Sequence, residues 1–176
     1  TMIALSSKEI IMGKQSNLGP IDPQFGGMSC AGIIEEFNEA CSDVKANPEM
    51  ARVWGPIISK YHPTFIGDCK KAMTWADTIV NKWLTENMFS AYTDAEARAR
   101  KVVDALSSHN ATYSHSRHIH IDELNNLGLK IVPLERLDDR QIDDCKDLQD
   151  CVLTIHHSFM QTLSSTNALK IVENHA

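Results

Sequence analysis

Apolar residues along this 176-residue chain recur mostly at spacings of three and four, as in helices that bury one face. Ile33, Ile34, Phe37, Cys41 and Val44 predict a first long helix. Asn47-Pro48 reads as a cap followed by a first-turn proline. It opens a segment with Met50, Val53, Trp54, Ile57 and Ile58 on one face, which Gly55-Pro56 is expected to kink or break. The clearest pattern is Phe65, Ile66, Cys69, Met73, Ala76, Ile79, Val80, Trp83 and Leu84, a long helix with a wide apolar stripe. Thr93-Asp94-Ala95-Glu96 has the form of a capping box and starts a helix through Leu106. A last helix carries Ile142, Cys145, Leu148, Val152, Ile155, Phe159 and Leu163.

Between these runs the pattern changes. Glu9-Ile10-Ile11-Met12-Gly13 is short, apolar and followed by a turn signal, which predicts a buried strand. The span from Ser16 to Gly27 holds Gly19, Gly26, Gly27, Pro20 and Pro23 and is expected to be an extended, stiffened loop without regular structure. Ser107 to Ile121 is polar and rich in histidine. Asp122 to Leu127 predicts a short helix with Gly128 as its left-handed stop, and Leu129-Lys130-Ile131-Val132 a strand. Two strands and five or six helices make an α/β, helix-rich chain without an internal repeat. Two strands alone do not make a stable sheet, so further strands are expected from preceding residues or from partner chains.

The length fits one domain. The composition is ordinary for a globular chain, 43% hydrophobic, 23% charged and 6% aromatic. The first residue is Thr rather than Met, and the chain starts inside an apolar run, Thr1-Met2-Ile3-Ala4-Leu5, which reads as part of something longer. No window reaches the roughly 20 apolar residues of a membrane span, and the first apolar run breaks at Ser6-Ser7-Lys8-Glu9, unlike a signal peptide. The net charge is −6, of which −4 lies between Glu135 and Asp150. That acidic run reads as a solvated loop and helix start. No basic face for a phosphate backbone is visible, so nucleic acid is not an expected partner. The five cysteines, Cys30, Cys41, Cys69, Cys145 and Cys151, are odd in number and lack a CxxC pair. They predict buried thiols in a reducing, cytoplasmic compartment rather than a disulfide framework.

Three features carry candidate chemistry. His109, His115, His118 and His120 lie close together, and His118 and His120 would share a face of a strand. Without HExxH or a cysteine pair at zinc spacing, these residues read as a polar loop or as a source of a general base, and no metal or other cofactor is expected. His156-His157 lie about 100° apart on a helix, which predicts one buried and one exposed. The Gly/Pro loop follows a buried strand, where α/β proteins bring backbone to ligands; a tight structural turn and a substrate-lining loop both fit it. Lys60 ends an apolar segment, where burial would lower its pKa, although a lysine at a helix end also reads as a solvated dipole partner.

The nonapeptide Ser16-Asn17-Leu18-Gly19-Pro20-Ile21-Asp22-Pro23-Gln24, with Met2-Ile3-Ala4 and Glu9-Ile10-Ile11-Met12-Gly13 before it, resembles the serine dehydrogenase proteinase family. That family belongs to the Clp protease/crotonase superfamily and is related to signal peptide peptidase A. Lys60-Tyr61-His62-Pro63-Thr64, Ser107-Ser108-His109, Ser114 to Ile119 and the Ile121 to Leu129 unit are supporting segments.

The resemblance implies the C-terminal part of a ββα superhelix and a serine-type peptidase acting by acyl transfer. It implies a nucleophilic serine at the start of a buried helix of which Met2 to Ser7 is the remainder. That serine would then precede Thr1, and this segment by itself would be inactive. Clp-type relatives draw a catalytic His from the loop where this chain has Asp22, so Lys60, His115 or His118 is the implied base or orienting group. Leu18, Gly19, Pro20, Ile21, Asp22, Pro23 and Gln24 would line the channel for a peptide or protein substrate, paired as an added strand. The family also implies a homo-oligomer, to which the Phe65–Leu84 stripe would contribute. The alternatives are a non-catalytic crotonase-fold scaffold module and, less well matched by Leu18–Gln24, a crotonase-type acyl-CoA enzyme.

Overall fold

A computed structural model of the chain describes residues 1–107, 117–137 and 148–171. His109 and His115, Ile142, Cys145 and the acidic run 138–147 lie outside the described residues. The chain divides into two compact units, one of residues 1–10 and 15–131, the other of residues 11–14 and 132–176. The described part is mixed α/β and rich in helix.

The first unit is built on three long helices, α2 (Cys30–Ala46), α4 (Phe65–Glu86) and α5 (Ala95–Ser107). α4 packs against both of the others. Its buried residues, Phe65, Cys69, Ala76, Val80 and Leu84, belong to the stripe read from the sequence. The stripe is thus consumed inside the unit, with α5 contributing Ala99, Val102, Val103 and Leu106. Thr85, near the end of α4, keeps a buried hydroxyl without a hydrogen-bond partner among the described residues. α5 starts at Ala95, and the Arg98 N–H bonds to the Asp94 carbonyl at 3.0 Å. The Arg98 guanidinium also grips the Asp94 carboxylate at 2.8 Å and holds it below the usual carboxylate range.

A short helix α1 (Met2–Leu5) opens the unit and anchors through the fully buried Leu5. The segment after α2 is a 3₁₀ turn, Pro48–Met50, and α3 (Ala51–Ile58). Asn47 caps the turn through its side chain, which accepts the Glu49 N–H at 3.2 Å. Gly55-Pro56 does not break α3, which runs two residues past the proline to Ile58. Pro56 denies a hydrogen bond to the carbonyl four residues back, that of Arg52, but Arg52 is exposed, so water can satisfy it.

The span from Ser16 to Gly27 is less irregular than its composition predicts. Strand β2 (Gln24–Phe25) pairs antiparallel with β3 (Met28–Ser29). The two residues between them, Gly26 and Gly27, have φ of +58° and +83°, the positive pair that a tight hairpin turn demands. Leu18 forms an isolated antiparallel bridge with Ile119.

Further on, α6 (Ile121–Asn126) ends at Gly128, whose φ is +90°. The Gly128 N–H bonds to Asn125 O at 2.9 Å and the Leu129 N–H to Leu124 O at 3.2 Å. Those two bonds close the helix on a left-handed glycine, with buried Leu124 and Leu129 as its apolar clasp. Strand β1 (Ile10–Met12) pairs with β4 (Ile131–Pro133) in a two-stranded sheet. The Ile10 N–H bonds to Lys130 O at 2.9 Å.

The second unit gathers Val132, Leu134 and Leu137 into a small core against which Leu148 packs. The Lys14 N–H bonds to Glu135 Oε1 at 2.9 Å, and hydrogen bonds from backbone hold the Glu135 carboxyl below its ordinary range. The long helix α7 (Leu148–Ser165) contains no buried residue. His156 and His157 are both exposed on it, against the expectation that one would be buried.

Candidate functional site

The residues singled out in the first unit converge on the segment Leu18–Gln24, and the folding of that segment explains why. Two prolines remove N–H donors at Pro20 and Pro23, so the chain there cannot join a continuous ladder and must be held point by point. Leu18 exchanges both backbone bonds with Ile119, at 3.0 and 2.9 Å. Gly19 is held by Thr1, whose hydroxyl donates to the Gly19 carbonyl at 2.7 Å and accepts the Gly19 N–H at 2.9 Å. The Ile21 N–H reaches the Leu106 carbonyl at the end of α5, and the Pro23 carbonyl accepts the Cys30 N–H at the start of α2, both at 2.9 Å.

Asp22 is half-buried, and its carboxylate Oδ1 accepts a hydrogen bond from Ser29 Oγ at 2.7 Å. Ser29 Oγ also accepts the Gly32 N–H at 3.3 Å and so caps α2. One hydroxyl therefore ties the loop to the helix that follows it. Directly behind lie Cys30 and Cys69, both fully buried, with Ile33 and Phe65. Burial, a hydrogen bond with the Cys69 thiol and the charges of Cys69 and Asp22 push the Cys30 thiol up to about 12. It is therefore an inert protonated thiol rather than a nucleophile.

The candidate bases fall at opposite ends of this segment. His118 and His120 flank Ile119, the partner of Leu18, and alternate with it: Ile119 is buried and both histidines are exposed. Their rings lie 6.4 Å apart, on the same face, as their spacing predicts. Arg117 next to them forms an ion pair with Glu123 of α6, which fixes the direction of this stretch. Lys60 sits in the turn after α3, exposed, its N–H on the Ile57 carbonyl. It adjoins Tyr61, which stacks on Phe65 at 5.2 Å, and Phe65 meets Phe25 of the hairpin at 5.8 Å. Burial, with the Glu36 carboxylate adding to it, pushes the Tyr61 hydroxyl above its ordinary value. The structure thus brings His118 to the start of the loop and sets Lys60 beyond the hairpin at its end.

The hydroxyls near the N-terminus are spent on backbone. Besides Thr1, Ser6 Oγ donates to the Ile3 carbonyl, and Ser7 Oγ to the Ala4 and Glu9 carbonyls, each at 2.7 Å. None of these bonds is to a base. Among the described residues no group of three or more His, Cys, Asp or Glu is placed to hold a metal ion. No described helix is long and apolar enough to cross a membrane.

A separate open groove of about 800 Å³ lies between α4 and the start of α5, lined by Thr74, Asp77, Thr78, Asn81, Thr93, Asp94, Glu96, Ala97 and Arg100. It contains none of the candidate base or substrate-loop residues predicted from sequence. Its charged groups are largely engaged already: Asp94 with Arg98, Arg100 with Asp104, and Asp77 with the Ser107 hydroxyl.

Sequence reasoning missed two residues of the loop site. Thr1 gives no local signal, because its partner lies 18 positions away. Ser29 does, since a serine immediately before an apolar helical run is a cap signature, although its second bond to Asp22 is a tertiary fact.

No protein-family model matches the chain, and no solved structure matches it. Among curated proteins, an uncharacterized protein of Methanocaldococcus jannaschii is 24% identical over 131 residues, which is 74% of this chain and 37% of that protein. The chain therefore spans little more than a third of the length of this relative.

Proposed function

We propose that this chain is the substrate-loop and base-bearing portion of a serine-type peptidase of the Clp protease/crotonase kind, whose nucleophilic serine is supplied by residues outside this sequence. One observation carries the reading. The resemblance sets the nucleophile at the start of the helix of which Met2 to Ser7 is the remainder, and the residue at that helix start, Thr1, is bonded on both sides of Gly19 in the loop that would hold substrate. Two segments that the chemistry needs side by side are side by side. The engagement of Thr1, Ser6 and Ser7 with backbone carbonyls also fits a nucleophile located elsewhere.

In this reading an extended peptide pairs with the loop Leu18–Gln24 as an added strand. His118 is the base. It takes the proton from the serine hydroxyl as the hydroxyl attacks the peptide carbonyl, and returns it to the leaving amine. Asp22 does not take the place of a catalytic His; it fixes the loop through Ser29. Lys60 is exposed in the turn after α3, away from the bridge that joins His118 to the loop.

The test is peptide hydrolysis by the natural full-length protein. His118→Ala is expected to lower kcat/KM by about 100-fold or more, and Lys60→Ala to change it by less than about threefold. The opposite pattern returns the base to Lys60. Hydrolysis untouched by both variants removes the described chain from catalysis and favours a scaffold module.

A further inference from the structure

His118 and His120 stand on either side of Ile119, and the backbone between them is pinned. Ile119 is 3% exposed and exchanges both backbone bonds with Leu18, at 3.0 and 2.9 Å. His120 is extended, with φ −89° and ψ 171°. Side chains two positions apart on an extended chain leave from the same face, their Cα atoms about 6.6 Å apart. Both rings are exposed, and their centroids lie 6.4 Å apart. Among the described residues neither ring is spent elsewhere. His120 stands at the capping position of α6 and makes no capping bond, and neither imidazole hydrogen-bonds to, or pairs with, a described side chain.

We propose that His118 and His120 form a two-histidine site for a divalent ion of the zinc(II) class, with water completing its shell. The donor set selects the ion. Neutral imidazole nitrogen suits zinc, copper(II) and nickel(II), whereas magnesium and calcium demand oxygen ligands. Two imidazoles on one zinc ion, each at about 2.0–2.1 Å and at a tetrahedral angle, have ring centroids about 5 Å apart. The rings therefore close by about 1 Å on binding, which rotation about the side-chain bonds of two exposed residues supplies without moving the pinned backbone. Asp122 and Glu123 in the first turn of α6, against Arg117 alone, leave the surroundings net negative and favour a cation. Each metal–nitrogen bond replaces one water of the hydrated ion, and no electron is transferred. No third His, Cys, Asp or Glu among the described residues completes a cage, so the site stays open and the ion exchanges.

The other described histidines fit this chemistry less well. His156 and His157 have centroids 5.9 Å apart, but adjacent positions on a helix leave its axis about 100° apart, so their nitrogens diverge. His62 already engages Thr64 Oγ1 through Nδ1 at 3.1 Å. An ion on His118 occupies the lone pair that would take the serine proton, which makes the ion a reversible inhibitor. That consequence rests on the peptidase reading; the site itself does not.

The experiment is isothermal titration calorimetry of the full chain with zinc chloride at neutral pH, with magnesium chloride as the control. One zinc ion is expected to bind, and magnesium to give no signal. His118→Ala and His120→Ala are each expected to weaken zinc binding by about tenfold or more, with the fold checked by circular dichroism. A chain carrying both His156→Ala and His157→Ala is expected to bind as the natural one does. Absence of zinc binding overturns the proposal, as does binding that the His118 and His120 variants leave unchanged. Loss of binding in the double variant at 156 and 157, or uptake of several ions without a one-ion step, marks an adventitious ion only and overturns it equally. In the natural full-length protein, His120→Ala is expected to keep peptide hydrolysis in zinc-free buffer and to need more zinc for inhibition, in proportion to its lost affinity. Binding without inhibition upholds the site and removes His118 as the base. Binding by a protein that hydrolyses no peptide upholds the site and counts against the peptidase reading alone.

Discussion

Replacing Ser29 by alanine removes two bonds from one atom, and the structure gives the size of each. Ser29 Oγ caps α2 through the Gly32 N–H at 3.3 Å and donates to Asp22 Oδ1 at 2.7 Å. Loss of a serine cap costs about 1 kcal/mol. A hydrogen bond to a charged group is worth about 1.5–3 kcal/mol when buried. Ser29 and Asp22 are half-buried, so water recovers part of that and about 1–2 kcal/mol remains. Ser29→Ala is therefore expected to cost about 2–3 kcal/mol. With a urea slope of about 2 kcal/mol per molar, the unfolding midpoint falls by about 1 M. Two further variants separate the terms. Ser29→Asn keeps a capping oxygen and supplies an N–H to Asp22, and is expected to lie within about 1 kcal/mol of the natural chain. Ser29→Asp keeps the cap but sets a second carboxylate against Asp22, and is expected to be no more stable than Ser29→Ala at neutral pH. A midpoint for Ser29→Ala within about 0.2 M of the natural chain, or Ser29→Asp more stable than Ser29→Ala, refutes the claim that this hydroxyl ties the loop to α2.

Thr85→Val replaces a buried hydroxyl that has no partner with a methyl of the same shape. It is expected to raise stability by about 1 kcal/mol and the thermal midpoint by about 2–4 °C; a fall shows that the hydroxyl is satisfied after all. Cys30 carries a thiol whose folded pKa is pushed up to about 12 from its ordinary 9.0. The folded chain then holds that proton more tightly than the unfolded one, so the term is fully present below pH 9 and is lost as pH rises toward 12. The stability difference between the natural chain and Cys30→Ala, measured in urea, is expected to shrink from pH 8 to pH 10.5, values of order one unit either side of the ordinary thiol pKa. A constant difference over that range contradicts the burial of the thiol.

The helical part of the fold was readable because burial imposes its own period. Phe65, Cys69, Ala76, Val80 and Leu84 are buried in the structure, and their spacing alone predicts it. Gly128 was readable as a stop for a local reason, the positive φ that its position demands. The β2–β3 hairpin was not, because each strand has two residues and offers no alternation to read. Gly55-Pro56 did not break the helix because the rule describes a helix interior, and here the proline lies in the last turns of a short, exposed helix. His156 and His157 misled because helical geometry separates two adjacent residues but does not guarantee that either side is covered.

The site was legible by segment rather than by atom. Leu18–Gln24 stood out by its glycines and prolines, and His118 and His120 by their spacing. The contacts that join these pieces span the chain: Leu18 with Ile119, Ile21 with Leu106, Gly19 with Thr1. No local pattern encodes such pairings. Asp22 is the instructive residue. The resemblance counts it with the substrate-lining loop, and the structure also ties its carboxylate to Ser29 at the start of α2.

The central claim is that a serine just ahead of Thr1 in the natural protein works on a peptide held by Leu18–Gln24. The most direct measurement is labelling of the folded full-length protein with a fluorophosphonate probe, followed by mapping of the modified peptide. The account predicts one labelled serine, preceding Thr1, with its labelling slowed by His118→Ala. A folded protein that takes no label, or takes it at Ser6 or Ser7, contradicts it.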